Sequence, residues 1–531
     1  VIDEARISEL EAIVGEKYVR DGFVDRLAYN ADCSPRGIIR ARGRDLESGR
    51  PAAVVQPAGE EQIVELVEWG RSTGTALVAY GAGSGVCLGA VGGSGAVLVD
   101  LKRLDGIRAV DSVDYYARVG AGIIGMNLER DLRRRGLTMG HYPSSLYCSS
   151  VGGYIAARSA GQYSSRYGKM EDIVASMRVV TGRGEVIETA PNPTRERPRR
   201  SAASGGPNLT QLFLGSEGTL GFVTEATVHL APEPDHRHYR GFSFESLEDG
   251  LEGIRRIMQS GLRPSVVRLY DPYDSLFKSG GSEGVSDDEA PGIEERIRRL
   301  ARTHLPDGVL DRIRRTADGV RDVLVAGVLD RTELLHRLLE PVASDSLMIV
   351  GFEGTSTAVE AEAEYAFGLL EEFGRDRGPE PGHNWLRHRF DASYLQSPLF
   401  ETGAWVDTME ISTTWENLER LYESVREALE PHALTMAHFS HVYPEGSSIY
   451  YTFVGHGATT EEALDRHEAA WRSALDAVVE AGGSVTHHHG VGSLKADWVE
   501  HDHVGGARHF EALKGTFDPD GILNPGTVYP N

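Results

Sequence analysis

Three adjacent histidines, His487, His488 and His489, stand between Thr486 and Gly490-Val491-Gly492. Imidazoles can take up or return a proton near neutrality, and they also ligate metals. On a strand, alternate side chains point to opposite faces, so His487 and His489 would share a face that His488 does not. No carboxylate lies close in sequence to complete a metal site, so no metal is assigned; a proton-transfer group and a polar surface run both stay open.

Glycines and small hydroxyl residues supply a second kind of chemistry. Tyr80, Gly81, Ala82, Gly83, Ser84, Gly85 and Val86 follow directly on an expected strand. Glycines there allow several backbone N–H groups to turn toward one anion, which is how a pyrophosphate is held; a tight turn without ligand is the alternative. The loop has neither a Rossmann fingerprint nor a Walker lysine. A second segment carries Ser144, Ser145, Ser149, Ser150 and Gly153, then Ala157, Arg158, Ser159 and Ala160, small residues that let backbone approach a flat ring. A third carries Glu217, Gly218, Leu220, Gly221 and Val223, where one carboxylate could accept hydrogen bonds from a ribose or an adenine.

Elements must position these segments. Val54 and Val55 read as a strand, Glu60 to Thr73 has helical spacing of Ile63, Val64, Leu66 and Val67, and Ala76 to Ala79 reads as the next strand. This α/β alternation runs from about Pro51 to Pro232. Beyond it, a strand at Tyr239 to Phe244 and a helix at Leu247 to Ser260 begin a second α+β domain. Ser279 to Gly292, rich in Gly, Ser and acids, reads as a surface loop, and Ile293 to Leu339 as helical and charged. No internal repeat suggests a solenoid.

Composition narrows the function classes. The chain has 531 residues, long enough for two or three domains, and no apolar run approaches the ~20 residues that a membrane helix requires. Val1 to Gly15 lacks the basic and hydrophobic regions of a secretory signal, so a cytoplasmic protein is expected. Cys33, Cys87 and Cys148 are odd in number and without metal-ligand spacing, which points to reduced thiols. A net charge of −24 repels polyanions and makes nucleic acid a poor partner; an anionic small substrate would need local arginines.

The three glycine and serine segments, in this order, resemble the FAD domain of the vanillyl-alcohol-oxidase superfamily, and Lys514 to Gly526 is similar to that superfamily's closing segment. The resemblance implies an α+β fold: an N-terminal helical segment (1–50), a two-subdomain PCMH-type FAD-binding domain (51–232), an α+β cap or substrate domain with a large antiparallel sheet (233–480), and a C-terminal segment (481–531) that returns to the FAD domain. It implies FAD as cofactor. Cys148 lies near the place where some relatives attach flavin through sulfur, but those relatives also have a histidine in the first glycine loop; noncovalent FAD is therefore expected.

The histidine run with Ser493-Leu494-Lys495, together with Gly140 to Leu146, Ser265 to Asp271 and Ser447 to Tyr451, resembles the alkyl-dihydroxyacetonephosphate synthases and their bacterial relatives. That resemblance implies an acid/base role for Tyr450, active-site roles for His487, His488 and His489, and substrate binding by Arg268, Arg389 and His141, with Arg387 a competitor for Arg389. A tyrosine suits proton transfer if neighbouring cations lower its pKa, and arginine grips a carboxylate or phosphate with two prongs. The implied protein is an FAD-dependent enzyme, compatible with a homodimer, acting on an anionic small or lipid-like substrate. Two reactions fit the same residues: exchange of a carboxylate for an alcohol without net oxidation, or oxidation of a 2-hydroxyacid or alcohol by hydride transfer. A noncatalytic flavin-binding protein is the third reading. The terminus Val528-Tyr529-Pro530-Asn531 carries no peroxisomal signal.

Overall fold

The computed structural model describes residues 2–190, 206–279, 329, 332, 336, 339, 345–391, 400 and 403–530. The expected surface loop after Ser279, and the expected helical stretch to Leu339 apart from four single positions, lie outside the described residues. The chain divides into two compact units, Val1–Glu233 with Thr486–Asn531, and Pro234–Val485. The fold class is α+β, as expected, with a large antiparallel sheet in the second unit.

In the first unit, strands Ala53–Val55, Ala96–Asp100 and Ala76–Tyr80 lie parallel in a four-stranded sheet, and Val19–Arg20 pairs antiparallel with the first of them. The helix Glu60–Thr73 connects two of these strands. It starts on Glu60 and Glu61, which complement its dipole, buries Ile63, Leu66, Val67 and Gly70, and stops at Gly74 in the left-handed conformation. A second sheet of five antiparallel strands holds Gly221–His229 at its centre between Tyr116–Gly120 and Val174–Thr181. Phe222 and Val180 of this sheet join Val97, Val99 and Leu77 of the first in one core, so the two sheets are packed together within the unit.

The second unit is built on a seven-stranded antiparallel sheet. Its strands alternate: Leu269, Phe439 and Ile449 point to one face, where Phe439 meets Tyr422 of the helix Leu418–Leu429 and Leu269 lies against Gly250 of the helix Leu247–Gln259. Both helices are amphipathic and turn their apolar stripes to that face. Arg268, Tyr270, His438 and Tyr450 consequently stand on the opposite face. No helix among the described residues is long and apolar enough to cross a membrane.

Within the first unit the stretch from Thr138 to Tyr142 is fastened by a buried carboxylate. Glu129, on the helix Gly125–Arg133, accepts hydrogen bonds from Thr138 Oγ1 (2.9 Å), the Met139 amide (2.9 Å) and the Tyr142 hydroxyl (3.1 Å). Burial pushes it up to about 7, against these hydrogen bonds and the pull of Arg133. Because the folded value lies above the unfolded one, the native state binds the extra proton; the associated stability is fully present below about 4.5 and is lost as pH rises through about 7. Glu129→Gln removes this titration. Urea unfolding of the wild type against the variant between pH 4.5 and 7 should therefore differ in slope by up to ~1.4 kcal/mol per pH unit, the wild type falling faster; parallel profiles would refute the assignment.

Candidate active site and cofactor cradle

The strand Ala76–Tyr80 delivers the first glycine loop, and neighbouring chain comes too close to it for side chains. A Cβ on Gly81 would lie 2.3 Å from Ser150 Oγ, and one on Gly83, whose φ is +69°, would lie 2.2 Å from the Tyr80 hydroxyl oxygen. The positive φ requires glycine at Gly83, whereas a side chain at Gly81 would have to displace the Ser150 hydroxyl. Ser150 also caps the short helix Val151–Ala156 by accepting from the Gly153 amide, so the first and second segments share one locus. The third segment joins them: the Gly215 amide donates to the Ile155 carbonyl, the Glu217 amide to the Ala156 carbonyl, and a Cβ on Gly218 would lie 3.0 Å from that of Ala79.

The C-terminal segment closes this locus. Leu77 donates to the Ile522 carbonyl (2.8 Å) and the Asn524 amide donates to the Leu77 carbonyl (3.0 Å), extending the four-stranded sheet past its last strand. The Asn524 side-chain amide then donates to the carbonyls of Gly89 (2.9 Å) and Glu217 (2.7 Å). Lys514 adds a bond to the Thr219 carbonyl and an ion pair with Asp518, both 2.7 Å. Four stretches distant in sequence thus meet through backbone contacts.

Several expected ligand contacts are spent inside the protein. The Glu217 carboxylate receives the amides of Val491 (2.6 Å) and Gly492 (3.0 Å), in place of the ribose or adenine contact expected for it; desolvation raises it to about 7. Leu220, Val223 and Ala160 bury their side chains, and Gly221 opens a central strand, which leaves backbone groups as what they can offer. Ser149 Oγ bonds Tyr154 and Ser145, and the Arg158 side chain reaches Glu171 and Gln211. Ser144 accepts from Gln162, whereas Ala82, Ser84, Gly85, Val86 and Ala157 keep part of their surface open. Cys148 is exposed, and desolvation of its thiol raises the pKa, the reverse of what an activated thiolate needs.

His141 needs a correction. Its side chain is wholly enclosed by protein, its Nε2 lies 2.8 Å from Ser159 Oγ, and its ring leans on Tyr154. Burial lowers its pKa to about 3, so it is a neutral internal support without surface to offer a substrate.

The histidine run is not a strand. Thr486 Oγ1 donates to the Gly490 carbonyl, and Gly490 (φ +84°) and Gly492 (φ +59°) turn the chain sharply. The three rings pack edge to face in succession, with 5.3 Å between the centroids of His487 and His488 and 4.4 Å between those of His488 and His489. The face-sharing expected for His487 and His489 therefore gives way to a continuous cluster. Among the described residues no His, Cys, Asp or Glu group is arranged to hold a metal.

In the second unit the sheet brings Arg268 and Tyr450 together around a residue that sequence reading passed over, His438. Strand register places Tyr270 opposite His438 and His438 opposite Tyr450. Arg268 Nη2 lies 2.7 Å from His438 Nε2, and the His438 and Tyr450 rings stack at 4.7 Å with planes 23° apart. The condition of a pKa lowered by neighbouring cations is not met at Tyr450. Desolvation of its hydroxyl raises it, against Thr408 and Arg268, which pull it down. Of the competing arginines, Arg387 forms a surface ion pair with Glu380 (2.9 Å), whereas Arg389 closes the helix Glu380–His388 beside the rings of Trp385 and Phe390.

The comparisons agree with this geometry. Residues 51–190 match the FAD binding domain model, and residues 233–528 match the model of FAD linked oxidases, C-terminal domain. The chain is similar to the alkyldihydroxyacetonephosphate synthase of Dictyostelium discoideum, 27% identical over 99% of this chain and 80% of that protein. It is also similar to the glycolate oxidase subunit GlcD of Bacillus subtilis, 23% identical over 98% and 96%. A solved alkyldihydroxyacetonephosphate synthase superposes with a TM-score of 0.73 at 25% identity, covering 99% of this chain and 85% of that one. The first glycine loop, with Gly83 at positive φ and Ala82, Ser84, Gly85 and Val86 partly open, fits FAD, whose pyrophosphate requires backbone at close range. Gly492→Ala should disrupt the cradle, since its Cβ would lie 1.7 Å from the Cys87 carbonyl oxygen: we expect a loss of about 2 kcal/mol or more in stability and a lower flavin-to-protein ratio after purification, and wild-type flavin content and melting temperature would refute this. With more than half of its length matched by one model, the chain belongs to the FAD-linked oxidase family and is an FAD-dependent enzyme.

Proposed function

We propose that this enzyme acts on a small anionic or lipid-like substrate in the manner of an alkyldihydroxyacetonephosphate synthase, exchanging a carboxylate for an alcohol at an activated carbon without net oxidation. The observation that carries the proposal is Arg268, which has no carboxylate partner among the described residues and is held beside His438 and Tyr450 on the sheet face opposite the two packed helices. A guanidinium so placed binds a phosphate or carboxylate. The Tyr450 hydroxyl, kept protonated at neutral pH by its raised pKa, donates a proton or hydrogen bond before it accepts one. The likeness to the synthases also implies proton handling by His487, His488 and His489 and anion binding by Arg389. FAD, when bound, supplies a ring able to take up and return an electron pair.

Oxidation of a 2-hydroxyacid is the second reading, favoured by the similarity to the glycolate oxidase subunit. Arg268 would then hold the carboxylate, and a histidine would remove the hydroxyl proton.

Anaerobic mixing of the yellow protein with candidate substrates separates the two. Bleaching that persists with a hydroxyacid supports oxidation; reversible bleaching by an acyl-dihydroxyacetone phosphate, with incorporation of a long-chain alcohol, supports exchange. In either case Tyr450→Phe and His488→Ala should retain flavin and lose about 10²-fold or more in kcat. Unchanged turnover in both variants would refute the assigned roles.

A further inference from the structure

His438 has contacts on its edges and on one face. Arg268 Nη2 approaches its Nε2 at 2.7 Å and its Nδ1 at 3.3 Å, Asp274 Oδ2 lies 3.5 Å from Nδ1, and Tyr450 covers one face of the ring. The residue is only 4% exposed. A guanidinium has donors and no acceptor, so a ring nitrogen that accepts from it must carry a lone pair; Nε2 at 2.7 Å is the nearer of the two, and the neutral tautomer that accepts there carries its proton on Nδ1, the side of Asp274. We propose that His438 is a positioning residue: as a neutral acceptor it fixes the Arg268 guanidinium at the place where the anionic part of the substrate binds. This rests on the reading of Arg268 as the anion-binding group.

The energetic argument is one of freedom. An arginine side chain carries about 2 kcal/mol of rotamer entropy, and each bond that immobilises it before the ligand arrives removes part of that cost from binding. Arg268 Nε has no protein hydrogen bond; its fork is held at Nη2 by His438 and lies 5.4 Å from the centre of the Tyr270 ring, so His438 supplies the hydrogen bond that orients it. The Asp274 carboxylate in turn orients the imidazole, a chain from carboxylate to imidazole to guanidinium that ends on an anion. Two substitutions separate the acceptor from the ring. His438→Phe keeps a ring to stack on Tyr450 and removes the acceptor; His438→Gln keeps an acceptor and loses the ring.

The test is isothermal titration of inorganic phosphate into the flavin-loaded protein. We expect saturable binding in the wild type, about tenfold weaker binding in His438→Phe, binding within about threefold of wild type in His438→Gln, and loss in Arg268→Ala. Should His438→Phe fail to fold, Asp274→Asn carries the same test, with weakening of about threefold expected. Wild-type affinity in His438→Phe and Asp274→Asn, with loss in Arg268→Ala, overturns the positioning role and leaves the anion site standing. No binding by the wild type, or unchanged binding in Arg268→Ala, overturns the anion site and this inference with it.

Discussion

One side-chain amide holds the cofactor domain in register. Asn524 donates to the Gly89 and Glu217 carbonyls while its own backbone pairs with Leu77, so a residue near the end of the chain ties the exit of the first glycine loop to the third glycine segment. The Glu217 carboxylate extends the clasp to Val491 and Gly492, directly after the histidine run. Buried amides and carbonyls of this kind are costly when unpaired, so each bond fixes the next. Glu217 and Asn524 both accept positive φ, at 49° and 40°, backbone strain that such a network can sustain.

The second unit solves a different problem with a simpler device. An antiparallel sheet covered by helices on one face leaves alternate residues of adjacent strands side by side on the other, and Arg268, His438 and Tyr450 arise from three neighbouring strands in that way. The strand that carries His438 is broken by a bulge between Ser440 and Val442, with His441 at φ 54°. Bulges re-aim strands near sites, and this one ends the regular register just beyond the cluster.

What could be read from sequence follows from the range of the interactions. The first glycine loop was legible because glycine takes conformations such as the positive φ of Gly83, and the helix Glu60–Thr73 and strand Ala76–Tyr80 because their periodicity is local. The FAD segments were recognisable as segments, yet which atoms remain for a ligand was not. Glu217 looked like a ligand group and is a clasp, and His141 looked like a substrate contact and is enclosed, because burial and partner choice depend on chain far away in sequence. His438 left no signal: one of two histidines in the strand Leu434–Val442, it acquires meaning only once strand register sets it beside Tyr450 and Arg268. Knowledge of the pairing Tyr270 to His438 to Tyr450 would have been sufficient to find it.

The account stands on the closure of the cradle by the C-terminal segment, and FAD titration into flavin-stripped Asn524→Ala measures it directly. If Asn524 holds Gly89 and Glu217 together, its loss leaves two carbonyls without their donor and weakens FAD binding by about tenfold or more relative to stripped wild type, while the strand pairing at Leu77 persists. Equal FAD affinity in the two proteins would show that the convergence of these stretches is incidental to holding the cofactor.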